Sequence, residues 1–128
     1  HLNGSGCRKC SESKGEKKID NYLKEIKVDY NREHVFMDCR NKLPLRFDFY
    51  IPSLNTCIEF DGIQHFQPVE HFGGLESYEQ LKKNDKIKND YCEDNYINII
   101  RIKYDQLDRI NEILDNNLRT LINIKRNN

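Results

Sequence analysis

Asp48 stands between Phe47 and Phe49 in Arg46–Ile51, a stretch of alternating apolar and polar residues, so an acid occupies the middle of a half-buried strand. Strands disfavour Asp, and one placed there needs a reason. A solvent-facing position on a one-sided sheet is the bland reason. The neighbouring stretch Thr56–Asp61 offers another, because Cys57, Glu59 and Asp61 alternate with Ile58 and Phe60. Paired as a hairpin, the two strands would gather Asp48, Glu59 and Asp61 on one sheet surface. Clustered carboxylates repel one another unless a proton or cation neutralises them, and a hard divalent ion such as Mg²⁺ suits oxygen ligands. The charged face of an open sheet competes evenly with that cation cluster.

Four further residues could act beside it. His65 follows Asp61 in a loop, where an imidazole could serve as general base on water, although a lone loop His is usually a surface residue. Leu81, Asp85, Lys88 and Cys92 fall on one helical face. Asp85 and Lys88 either pair along the helix or both point toward the carboxylates. Glu16 closes Ser13-x-x-Glu16, a capping box, and is otherwise a candidate site acid.

The elements that must position these residues can be read from periodicity. Ile19, Tyr22, Leu23 and Ile26 mark a helix over about 14–27. Strands follow at Glu33–Cys39, Arg46–Ile51 and Thr56–Asp61, separated by a turn at 40–44 and a tight connection at Pro52–Asn55. Ile63–Ser77 reads as a loop, 78–95 as a second helix and Ile97–Tyr104 as a strand. Asp105 is then placed to cap a last helix striped by Leu107, Ile110, Leu114, Leu118 and Leu121. The order predicts an α/β chain of the α+β type with a mixed sheet.

With 128 residues, 21 basic and 21 acidic, the chain has room for one small core and a net charge of zero. The balance removes the argument that a strongly basic protein would give for nucleic acid, so a functional claim must come from a site. A mean hydropathy of −0.88 and the lack of any membrane-length apolar run or signal-like N-terminus point to a soluble, cytoplasmic protein with no membrane partner. Residues 1–12 lack apolar periodicity and stand apart from 13–128. Five cysteines without a secretion signal read as reduced thiols. Cys7-x-x-Cys10 offers two of the four ligands that Zn²⁺ requires, a partial site, while Cys39, Cys57 and Cys92 read as core thiols.

The pieces Gly15–Ile19, Arg46–Pro52, Cys57–His65 and Asn84–Lys88 ahead of Ile99–Ile102 resemble, in that order, the PD-(D/E)xK nuclease superfamily. The nearer likeness is to its very short patch repair endonuclease branch and related phage homing endonucleases, over about residues 13–122. The resemblance implies a restriction-endonuclease-like αβββαβα core and a Mg²⁺- or Mn²⁺-dependent endonuclease acting on DNA. It matches Asp48 to the metal-holding strand Asp, with Glu59 or a carbonyl near Phe60 completing the shell. It matches His65 to the base, and Glu16 and Asp85 to the two remaining acids. The superfamily places Lys two residues after the strand-three Glu, where this chain has Asp61, so that His65 and Lys88 would take over its work. Residues 1–12 resemble the tail of a zinc repeat found beside such domains. Lys82, Lys83, Lys86, Lys88 and Arg101 are candidates to hold the DNA backbone. A nuclease-fold DNA-binding module without chemistry is the alternative, and the oligomeric state is left open, a homodimer included.

Overall fold

The structure, a computed structural model, describes residues 13–70 and 73–127. Ser13 starts the first helix, α1 (Lys14–Glu25): its Oγ accepts from the Glu16 backbone N–H at 3.0 Å, as a capping residue should. The helix stops earlier than the apolar spacing predicts, because Lys27 takes φ 58° and turns the chain out. Its buried side, Gly15, Ile19 and Leu23, faces the sheet. At Gly15 the approach is so close that a Cβ would overlap the Phe60 ring, which is what glycine is needed for there.

Strands β1 (Asn31–Asn41) and β2 (Leu43–Ile51) form a long hairpin turned at Lys42, whose φ is 68°. A short 3₁₀ turn at Pro52–Leu54 and a left-handed Asn55 deliver β3 (Thr56–Asp61) antiparallel to β2. Helix α2 (Gly74–Asp94) then crosses over to β4 (Asn98–Lys103), which runs parallel to β3, as such a crossover allows. The strand order is β1-β2-β3-β4, and α3 (Ile110–Asn127) closes the chain. The architecture is therefore α+β: a mixed four-stranded sheet with three helices, in the order αβββαβα.

Both faces of the sheet are covered. Helices α1 and α3 pack Ile19, Leu23, Ile110, Leu114 and Leu118 against Phe49, Ile51, Ile58, Ile100 and Ile102. Complete burial of each such side chain is worth roughly 1.5–3 kcal/mol. On the other face, α2 brings Ile87, Tyr91 and Cys92 to Cys39, Phe47 and Cys57. All three of these cysteines are free and buried, in keeping with core thiols. Glu59 and Asp61, for which a solvated sheet face is one of two readings of the sequence, thus lie beneath α2, only 3% and 5% exposed.

Several sequence expectations change. Helix α2 begins at Gly74, opened by two glycines with positive φ, rather than at 78. Asp105 makes no capping contact among the described residues: it sits inside a 3₁₀ segment, Tyr104–Arg109, that precedes α3. Phe47, Phe49 and Ile51 do not share one face, since Phe47 packs under α2 while Phe49 and Ile51 pack under α1 and α3. The cause is local. Register pairs Arg32 with Phe49 and His34 with Phe47, which sets Glu33 opposite Asp48, and Glu33 has φ 48°. The hairpin changes face at this rung, with Asp48 at the crossing.

Candidate active site

The backbone ladder between β2 and β3 ends at Phe49 and Ile58. Beyond it two acid side chains replace the missing rungs. Glu59 Oε2 accepts from the Asp48 backbone N–H at 2.7 Å, and Asp48 Oδ2 accepts from the Phe60 backbone N–H at 2.8 Å. The strands splay and the carboxylates fill the gap, which accounts for an Asp in mid-strand. Burial, and after it the charge of Glu59, pushes the Asp48 carboxyl up to about 8; the Phe60 hydrogen bond opposes this only in part. Asp48 has no ion pair among the described residues.

Lys88 resolves the choice left open on α2. Its Nζ reaches across to Glu59 Oε1, with the lysine side chain 13% and the glutamate 4% exposed, rather than pairing with Asp85 along the helix. The same ammonium lies 5.1 Å from the centre of the Phe47 ring. A buried pair of this kind needs further hydrogen bonds to offset desolvation, and Glu59 has one from the Asp48 backbone.

A second group forms at the end of β3. His65, at the close of the 3₁₀ turn Ile63–His65, sets Nδ1 2.9 Å from Asp85 Oδ2 and 3.8 Å from Asp61 Oδ1. Arg101, from β4, holds Asp61 through Nη1 at 2.8 and 3.0 Å and donates from Nε to Asn89 Oδ1 at 2.9 Å. Its Nη2 lies 3.7 Å from Asp85 Oδ1 and is buried without a hydrogen-bond partner among the described residues. Burial raises Asp61 despite Arg101 and His65. Burial also acts to raise Asp85, but the His65 hydrogen bond and the charges of His65, Arg101 and Lys88 outweigh it and lower that carboxyl.

Glu16 takes part in the start of α1 and in an ion pair with Arg32. Ser13 Oγ caps the Glu16 backbone and lies 3.5 Å from Glu16 Oε2, while Oε1 accepts from Arg32 Nη2 at 3.3 Å. Its charge also contributes to raising Asp48. The nominated residues therefore fall into two adjoining groups: Asp48, Glu59 and Lys88, with Glu16 alongside, and Asp61, His65 and Asp85, closed by Arg101. Strand β3 joins them through Glu59 and Asp61.

One assignment needs correction. Arg101, a candidate DNA-backbone contact, is committed to Asp61 and Asn89 inside the site. Its sequence signal was the same as that of Asp48, a charge inside an apolar strand, Ile99–Ile102. Lys86 is likewise paired, with Asp90 at 2.8 Å. Cys7 and Cys10 lie outside the described residues.

A divalent ion fits some of these acids better than others. Ligand atoms of Asp61, His65 and Asp85 lie within 4.8 Å of one another, but Asp61 is already held by the Arg101 guanidinium and Asp85 by the His65 ring. Glu59 is matched by Lys88. Asp48 remains, a hard oxygen donor whose charged form is disfavoured by its surroundings and would be restored by a cation. No family model matches the chain, and no curated protein or solved structure matches it either.

Proposed function

We propose that this chain is a metal-dependent endonuclease domain that hydrolyses DNA phosphodiesters, of the PD-(D/E)xK kind that its motifs resemble. One observation carries the proposal: an Asp48 carboxyl with no ion pair among the described residues stands beside the strand whose end bears a His65 imidazole held by Asp85. Asp48 would hold Mg²⁺ or Mn²⁺, with a backbone carbonyl near Phe60 as a further donor. When bound, the ion supplies positive charge to the phosphate and its transition state.

The chain's own groups do the rest. With its Nδ1–H donated to Asp85, His65 keeps a lone pair on Nε2 and takes the proton of the attacking water. The Asp85 carboxylate, held low, stabilises the imidazolium that results. Lys88 fixes Glu59, and Glu59 in turn fixes the Asp48 backbone, so the metal-holding acid cannot drift from the histidine. In this way Lys88 and His65 supply what a lysine at position 61 would otherwise provide.

Relaxation of supercoiled plasmid tests the proposal. Nicking should require Mg²⁺ or Mn²⁺, stop in EDTA, and be lost in Asp48→Asn, whose amide oxygen can still accept from Phe60. Cleavage that persists in Asp48→Asn or in EDTA overturns it. The Arg101–Asp61 clamp on the histidine pocket favours a second reading, a DNA-binding module without chemistry. Salt-dependent plasmid binding by the wild type, with no nicking in Mn²⁺, would select that one.

A further inference from the structure

Two aromatic rings beside His65 belong to neither core cluster. Phe66, directly after His65, is 37% exposed, and Tyr104, at the start of the 3₁₀ segment after β4, is 39% exposed. Their ring centres lie 5.8 Å apart. Two lysines from different elements converge on this ledge: Lys103 Nζ lies 4.8 Å from the centre of the Phe66 ring, and Lys82 Nζ lies 6.0 Å from it and 5.5 Å from the Tyr78 ring. Neither ammonium has an ion pair among the described residues, whereas Asp61, Asp85 and Asp90 of the adjoining cavity are paired with Arg101, His65 and Lys86. An open cavity of about 320 Å³, lined by Phe66, Lys82, His65, Asp85 and Arg101 among others, joins the ledge to the histidine.

Phe66 keeps part of its ring open at the mouth of this cavity. A flat ring with ammonium groups at its margin has the chemistry of a nucleotide seat, since a base stacks on the ring while its phosphates meet the lysines. We propose that Phe66 and Tyr104 receive an unstacked nucleobase. The preferred substrate is then a DNA strand that is single-stranded next to the scissile phosphate. This inference rests on the nuclease reading and names its substrate class. A duplex with every base stacked inside offers nothing for the ledge to hold, so only the lysines would engage it.

Binding in EDTA separates this proposal from cleavage. A fluorescein-labelled oligo-dT and a fully paired hairpin of equal length are titrated by anisotropy against wild type, Phe66→Ala, Phe66→Trp and Lys103→Gln. Thermal melts confirm that each variant folds. Wild type should bind oligo-dT more tightly than the hairpin. Phe66→Ala should lose about tenfold or more on oligo-dT while changing little on the hairpin, and Phe66→Trp should restore it. Lys103→Gln should weaken both ligands and flatten the salt dependence. Equal affinity for the two DNAs, or oligo-dT binding unchanged in Phe66→Ala, overturns the ledge. If oligo-dT binds through Phe66 but neither plasmid nor a duplex with a single-stranded overhang is ever cut in Mn²⁺, the nuclease reading fails and the ledge stands. If Phe66→Ala nicks normally and binds oligo-dT like wild type, the ledge alone fails.

Discussion

His65 Nδ1 and Asp85 Oδ2 lie 2.9 Å apart, joining the turn after β3 to the middle of α2. The contact fixes both the orientation and the tautomer of the imidazole, as a general base requires. His65→Ala should reduce metal-dependent nicking by about 10²–10⁴-fold, the usual contribution of such a base. Asp85→Asn should lower the rate less, because the ring remains while its orientation loosens. Time courses of plasmid relaxation decide the matter, and wild-type rates in both variants would make the pair merely structural.

Lys88 and Glu59 predict a stability effect that two variants can isolate. Lys88→Met leaves Glu59, 3% exposed, buried without its cation, at a cost of about 3–5 kcal/mol. Replacing both, Lys88→Met with Glu59→Gln, removes the stranded charge and should recover most of that loss. Urea unfolding midpoints measure both. An unchanged midpoint in Lys88→Met would mean that the ion pair is solvated after all.

Asp48 gives the metal-free protein a distinctive pH dependence. Its carboxyl, raised to about 8 by burial and by Glu59, returns to about 3.9 in the unfolded chain. Between these values the folded state binds more protons, so its stability is greatest at the acid end and falls as pH rises toward 8. In EDTA the urea midpoint should therefore drop between pH 5 and pH 8. Asp48→Asn should flatten that slope, and saturating Mg²⁺ should offset it by favouring the charged carboxylate. A midpoint that climbs over this range in EDTA would contradict the placement of Asp48.

Much of this arrangement was legible in the chain itself. Asp48 breaks an apolar strand, and Asp85 with Lys88 share the face of α2 that carries Cys92, so residue type and spacing nominated these residues while leaving open whether the helix pair faces the acids. The element order followed from helical and strand periods, and the observed order is the expected one. What periodicity could not convey was the division of labour. The change of face at Glu33 and Asp48 depends on a positive φ in the partner strand, and alternation within β2 carries no trace of it. Whether Lys88 turns to Glu59 or to Asp85 is likewise decided by the depth at which α2 sits, a tertiary property. The Arg101–Asp61 clamp needed the parallel register that places Arg101 next to Glu59, and only the assembled sheet supplies it.

The rungs that Asp48 and Glu59 make with backbone N–H groups give these acids a structural task of their own, apart from any chemistry. A substitution at either place that left no hydrogen-bond acceptor would part the central strands there, so the acidic pair serves as masonry whatever else it does.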